Sequence, residues 1–251
     1  MPETEASGSV IPDEQRPLDQ IPVSPPNGEV EEETGEGGLG LPGNKQQLTV
    51  FHSPDNFNVK HPLMNKWTLW YTKPPSNNKG EISWNDLLKE VVTFDSVEEF
   101  WGIYNNILKT SELGLKSDYH LFKTGVRPEW EDTQNKHGGK WAYQFKDKRG
   151  VPIDDLWLNV ILAAIGETLE SDKDKEIMGA VVNVRKAFYR IGLWTKTTGG
   201  GKGTPKEAAL MEIGKKFKGV LKLGDKDLVE FSGHTESAHS GQSRAKAKYF
   251  A

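Results

Sequence analysis

Strict alternation of large apolar and polar side chains is the feature that most narrows what this chain can become. In residues 66–72, Trp67, Leu69 and Tyr71 alternate with Lys66, Thr68, Trp70 and Thr72. In residues 139–146, Trp141, Tyr143 and Phe145 alternate with Lys140, Ala142, Gln144 and Lys146. Residues two apart in a strand share a face, so this period predicts an antiparallel sheet with one face covered. Residues 179–185 and 189–195 read as two more strands, paired as a hairpin, with weaker candidates at 220–223 and 227–231. Helical periods fall between them. Ser96 and Glu99 form a capping box that opens a helix over 97–108, which buries Phe100, Ile103, Tyr104 and Ile107. A second helix is predicted over 155–169 and a third over 204–217, where Pro205 suits the first turn. The predicted fold class is α+β: a single domain with one curved antiparallel sheet and about three helices on its convex face.

The stretch after Phe231 is polar and weakly patterned, and the N-terminal stretch resists the pattern altogether. Residues 1–44 hold ten acids and one base, Arg16, for a formal charge of −9, with no aromatic residue and much Pro, Gly and Glu. Such a segment cannot bury enough apolar surface to offset its ordering entropy, so residues 1–45 are expected to form a disordered acidic tail before a folded domain over 46–251. The whole chain of 251 residues carries −4, so the remainder is mildly basic, the sign expected for an anionic partner. There is no Cys for a disulfide or a thiolate metal site, and the six His show no metal-ligand spacing. No apolar run reaches membrane-spanning length and no signal-peptide pattern opens the chain, so a soluble intracellular protein is expected.

The tryptophans direct attention to a site. Trp84 and Trp130 both lie in polar stretches, and Trp130 is followed by Glu131. A Trp in a polar segment is usually there to touch something. Two indoles can stack a flat base from both faces, at roughly 1–3 kcal/mol per base, and more if the base is cationic. Glu131 only accepts hydrogen bonds, so it would select a base edge with two N–H donors; guanine offers N1–H and N2–H₂, and methylation at N7 makes that base a cation. In the strand 189–195, Ile191 and Leu193 belong to the core side, which leaves Arg190, Gly192 and Trp194 on the other, near Arg185 and Lys186. An aromatic among cations on a sheet face suits a nucleotide, although a solvated basic edge has the same pattern. The run Gly199–Thr204 lacks the order of a phosphate loop, and no paired carboxylates imply acid–base work, so no enzyme activity is expected.

The first helix also carries too much apolar surface for one core face. Val97, Trp101 and Leu108 form a second stripe, and the second helix is apolar nearly all round. Such stripes suggest a groove for a partner helix, unless both are simply buried on two sides.

The segments His61-Pro62-Leu63-Met64-Asn65-Lys66-Trp67, Trp84, Phe100-Trp101, 119–122, Trp130-Glu131-Asp132, 135–141 and 179–185 together resemble, in order, the eukaryotic initiation factor 4E family of messenger-RNA cap-binding proteins. The resemblance implies a cupped antiparallel sheet backed by helices, a cap-binding domain over 46–251, and binding of 7-methylguanosine or 7-methyl-GTP without cofactor or metal. It assigns Trp84 and Trp130 as the stacking plates, Glu131 as the guanine-edge acceptor and Trp194 to the N7-methyl group. Arg185, Arg190 and Lys140 fall on phosphate-binding positions. One family lysine is Ala187 here, with Lys186 beside it as a substitute. On the back, His61, Pro62, Val97, Trp101, Leu158, Leu162 and Gly166 match the groove for a helix carrying Tyr-x-x-x-x-Leu-hydrophobic, as found in initiation factor 4G and 4E-binding repressors. A family Glu in that groove is Asn159. The implied role is translation initiation in the cytoplasm, with the nucleus as a second compartment. A cap-binding translational repressor and a partner-binding adaptor with an idle slot are the alternatives. Ser240 and Ser243 stand out as candidate phosphorylation positions.

Overall fold

The computed structural model describes residues 48–53, 56–74, 84–171, 173–236 and 246–251, with the side chains of Trp84 and Asn85 outside that description. The acidic stretch 1–45, Ser240 and Ser243 therefore lie outside the described residues. The described residues belong to one compact unit, Gln47–Ala251.

Among the described residues, eight strands form a single antiparallel sheet. They are β1 (Pro62–Thr72), β2 (Leu88–Ser96), β3 (Asp118–Lys123), β4 (Gly139–Phe145), β5 (Ile177–Val184), β6 (Tyr189–Thr195), β7 (Glu230–Gly233) and β8 (Tyr249–Phe250), in the order β2-β1-β3-β5-β6-β4-β7-β8. Three helices, α2 (Val97–Tyr104), α3 (Ile153–Ile165) and α4 (Pro205–Val220), follow a one-turn α1 (Trp84–Leu87). The α+β fold expected from the periodicity is the one observed. Trp67, Leu69 and Tyr71 of β1, Trp141 of β4, and Ile191 and Leu193 of β6 turn toward the helices and join one core with Phe100, Val160, Ile161, Ile213 and Phe217. The Trp141 indole N–H donates to the Leu210 carbonyl at 3.2 Å, and Gly214 gives the ring room on α4.

The boundaries differ from the periodic reading in instructive ways. Strands β2 and β3 are not predicted by alternation: β3 is buried on both faces, and β2 crosses a register shift against β1 between Leu69 and Trp70. Helix α2 stops at Tyr104 rather than 108, where Asn105 and Asn106 turn the chain and the Asn106 amide bonds the Gly102 carbonyl at 2.7 Å. Its capping box is half-formed. Glu99 N–H donates to Ser96 Oγ at 3.3 Å, but the Glu99 carboxylate returns to Asp95 N–H at 3.0 Å. Helix α3 ends at Ile165, not 169. Glu167 enters the left-handed region (φ 53°), and the bonds Thr168 N–H to Ala163 O and Glu167 N–H to Ala164 O close a Schellman motif. Helix α4 ends in the same way at Lys222 (φ 53°), so the predicted strand at 220–223 is a helix terminus; the next strand begins at Glu230 rather than 227.

Candidate functional site

The sheet face opposite the helices is crossed by three rows of residues in register. One runs Thr72, Asp118, Asn183, Arg190, Gln144. The next runs Trp70, His120, Val181, Gly192, Ala142, Glu230. The third runs Thr68, Phe122, Gly179, Trp194, Lys140, Ser232. Side chains from these rows and from the β3–β4 connection enclose a cavity of about 390 Å³, whose floor is lowered by Val181, Gly192 and Ala142.

Six of the predicted residues converge there: Trp130, Glu131, Trp194, Arg185, Arg190 and Lys140 all line the cavity. The connection that carries Trp130 and Glu131 is held by two side chains. Asp132 accepts from the backbone N–H groups of Arg127 (3.0 Å) and Gln134 (2.8 Å). Buried Asn135 donates to the carbonyls of Arg127 (2.7 Å) and Glu129 (3.0 Å). Trp130 then packs half-buried against a small cluster of Phe122, Val126, Met178, Val181 and Trp194, while the Glu131 side chain stays exposed at the rim. Trp194 is only 7% exposed and meets Phe122 edge-on at 5.3 Å, so this face is not a solvated basic edge at that position. Trp84 opens helix α1 rather than lying in a loop.

Away from Trp194 the two arginines of the cavity are fixed, while Lys140 lies in register beside Trp194. The Arg185 guanidinium straddles the Asp118 carboxylate at 2.6 and 3.1 Å and donates further to the carbonyls of Ser117 and Val184. Asn183 holds the same carboxylate at 2.9 Å. Arg190 donates to Gln144 Oε1 at 2.8 Å and lies over the Phe188 ring. Burial, with the Arg190 charge adding to it, lowers the Lys140 ammonium to about 8. Such cations, preorganised beside an aromatic slot, suit a phosphate chain attached to a stacked base. Lys186 sits exposed in the β5–β6 turn beside Ala187, outside the cavity lining.

The periodic reading missed His120, Asn183, Asp118 and Trp70. His120 is buried in the cavity wall, its Nε2 2.7 Å from Thr72 Oγ1, and burial pushes its imidazole down to about 4. Trp70 lies opposite His120 with the Arg127 guanidinium 5.4 Å from its ring. Its position on the polar side of an alternating strand is the signal that singled out Trp194, and it applied equally to Trp70.

On the helix-bearing side, the second stripe is exposed as expected: Val97 and Trp101 show 38% and Leu108 60% of their surface. Trp101 rests edge-on against Phe100 (5.1 Å) and Tyr104 (6.0 Å). The start of β1 is tied to the start of α2. His61 bonds Glu98 through its ring (2.6 Å) and its backbone N–H (2.9 Å), and Val97 N–H donates to the His61 carbonyl. Leu158, Leu162 and Asn159 of α3 are partly exposed, and Gly166 is exposed at the helix end.

Residues 62–249 match the family model of eukaryotic initiation factor 4E. The chain is 50% identical over 207 residues to eukaryotic translation initiation factor 4E-1 of Schizosaccharomyces pombe, covering 82% of this chain and 90% of that protein. It is 53% identical over 195 residues to the initiation factor 4E of Candida albicans, covering 77% and 88%. Among solved structures it is similar to Ascaris suum eIF4E-3 in complex with an m7G cap, with a TM-score of 0.65 and 36% identity over 76% of this chain and 98% of that one. It is also similar to C. elegans eIF4E-3 in complex with the 4E-binding protein Mextli and a cap analog, with a TM-score of 0.66 and 34% identity over 77% and 100%. On a family match that spans most of the sheet and all three long helices, the chain belongs to the eukaryotic initiation factor 4E family.

Proposed function

We propose that this chain is a translation initiation factor whose domain over 46–251 binds the 7-methylguanosine 5′ cap of messenger RNA in the open-face cavity. The observation that carries the reading is the convergence of Trp130, Glu131, Trp194, Arg185, Arg190 and Lys140 on one cavity of about 390 Å³. The base stacks on Trp130, with Trp84 as the second plate. Glu131 accepts from guanine N1–H and N2–H₂, Trp194 covers the methyl group, and the cations take the phosphates. The activity is binding, not bond cleavage. Initiation factor 4G, or a 4E-binding repressor with Tyr-x-x-x-x-Leu-hydrophobic, lays a helix on Val97, Trp101, Leu158 and Leu162, with His61, Pro62 and Gly166 at the groove ends. The proposed compartment is the cytoplasm, with the nucleus as a second. Among the described residues no helix is long and apolar enough to cross a membrane.

Retention on immobilised cap analogue tests the reading. Elution by free 7-methyl-GTP but not by GTP is the expected result. Failure to bind the resin, or equal elution by both, overturns it.

A further inference from the structure

Beside Trp194, outside the cavity lining, lies a side chain to which the cap reading gives no role. His234 follows the last residue of β7, and its backbone N–H donates to the Gly138 carbonyl at 2.9 Å, which sets it beside the start of β4. Its ring is fully buried and lies 4.1 Å, centroid to centroid, from the Trp194 ring at a tilt of 40°. Neither ring nitrogen has a hydrogen-bond partner among the described residues. A buried imidazole with both nitrogens idle is unfavourable for folding, so packing or function must offset that cost.

We propose that His234 is a positioning residue for recognition of a 7-methyl purine cation: as an aromatic plate outside the cavity lining it braces the Trp194 indole. The inference rests on the cap reading, since only that reading puts a cationic base against Trp194. The electrostatics favour the arrangement. An indole attracts cations through its negative face, and an imidazolium stacked on Trp194 would both occupy that attraction and repel a second cation. Burial, reinforced by the charge of Lys140 on the adjoining strand, pushes the His234 imidazole down to about 3, so it stays neutral and leaves the indole to the base. Two aromatic neighbours then fix Trp194, with Phe122 edge-on at 5.3 Å and His234 tilted by 40° at 4.1 Å.

The test is titration of the full chain with 7-methyl-GTP and with GTP, alongside thermal melting. Loss of the plate in His234→Ala should weaken 7-methyl-GTP by roughly 2- to 12-fold, the range of one aromatic pair, and leave GTP nearly unchanged. His234→Phe keeps a neutral plate and should hold the ratio of the two affinities within about twofold of wild type. If His234→Ala melts too early to titrate, His234→Leu fills the space without a plate and carries the same expectation. A wild-type ratio in the Ala or Leu variant overturns the inference. So does a Phe variant as poor as Ala, because the imidazole nitrogens would then matter rather than the plate. A wild-type protein that binds GTP as tightly as 7-methyl-GTP overturns the cap reading itself, a separate result.

Discussion

On the open face, side chains are held by other side chains: Arg185 by Asp118, Asp118 by Asn183, Arg190 by Gln144. On helix α2, Val97 and Trp101 each leave 38% of their surface in water, and the aromatic contacts of Trp101 are with its own helix, Phe100 and Tyr104. The difference follows from what each surface must do before its ligand arrives. Charges drawn into a sheet face need partners from the outset, because an unpaired buried charge is expensive, so the cavity is preorganised. Apolar area on a helix tolerates exposure at modest cost and is stabilised when a partner covers it. One surface is specific through fixed polar geometry, the other through shape and buried area.

The sharpest way to break this comparison is Trp101→Ala. A Trp anchor in a helix-binding groove is worth ~2–4 kcal/mol, so binding of a Tyr-x-x-x-x-Leu-hydrophobic peptide should be lost while cap-analogue binding and the melting temperature stay near wild type. A joint loss of both ligands with a large drop in melting temperature would make Trp101 a core residue instead. The complementary change acts on the cavity. Trp130→Ala should weaken 7-methyl-GTP by roughly 1–3 kcal/mol, and Glu131→Ala by at least as much, with peptide affinity unchanged; fluorescence titration reads both.

A smaller effect tests the cations. Lys140 has its pKa lowered to about 8 in the free protein, and a bound phosphate would raise it. The bound form thus holds more protons, and the linkage sign makes triphosphate affinity greatest below pH 8 and falling as pH rises through it, by at most about tenfold per pH unit. In Lys140→Met that part of the slope should vanish in calorimetry across pH 7–9.5. Smallest of all, Asn159→Glu on α3 should strengthen peptides with an Arg facing that position by no more than ~1 kcal/mol, since the pair is partly exposed. No gain for such a peptide over its Ala counterpart would place the Arg elsewhere.

Strand β6 was legible because its two faces differ: Ile191 and Leu193 are core, while Arg190, Gly192 and Trp194 face the cavity, as the alternation required. Strand β3 was not, because Asp118 and His120 are buried among neighbours on a face where alternation predicts exposed polar groups. The site's own network of Arg185, Asn183 and Thr72 helps make that burial tolerable, and such long-range partners leave no local trace. Helix ends were misjudged by three to four residues where non-glycine residues, Glu167 and Lys222, adopt the left-handed turn that a glycine would have announced. At Glu167 the side chain offers compensation, since its carboxylate accepts from the Asn65 amide at 2.6 Å and lies 3.7 Å from Lys123 Nζ. The groove was legible as a surplus of apolar residues, but the tie between His61 and Glu98 that joins β1 to α2 spans 37 positions and was not.

The glycines beneath the cavity separate two kinds of inheritance. A methyl group at Gly179 would sit 2.4 Å from the Phe122 ring and displace the pair that Phe122 makes with Trp194, so change there damages the scaffold. A methyl group at Gly192 would meet only the Trp141 carbonyl at 3.4 Å, an ordinary contact, yet would raise the cavity floor. A lineage or an engineer can therefore narrow the range of accepted ligands at Gly192 with little harm to the sheet, whereas Gly179 offers no such freedom.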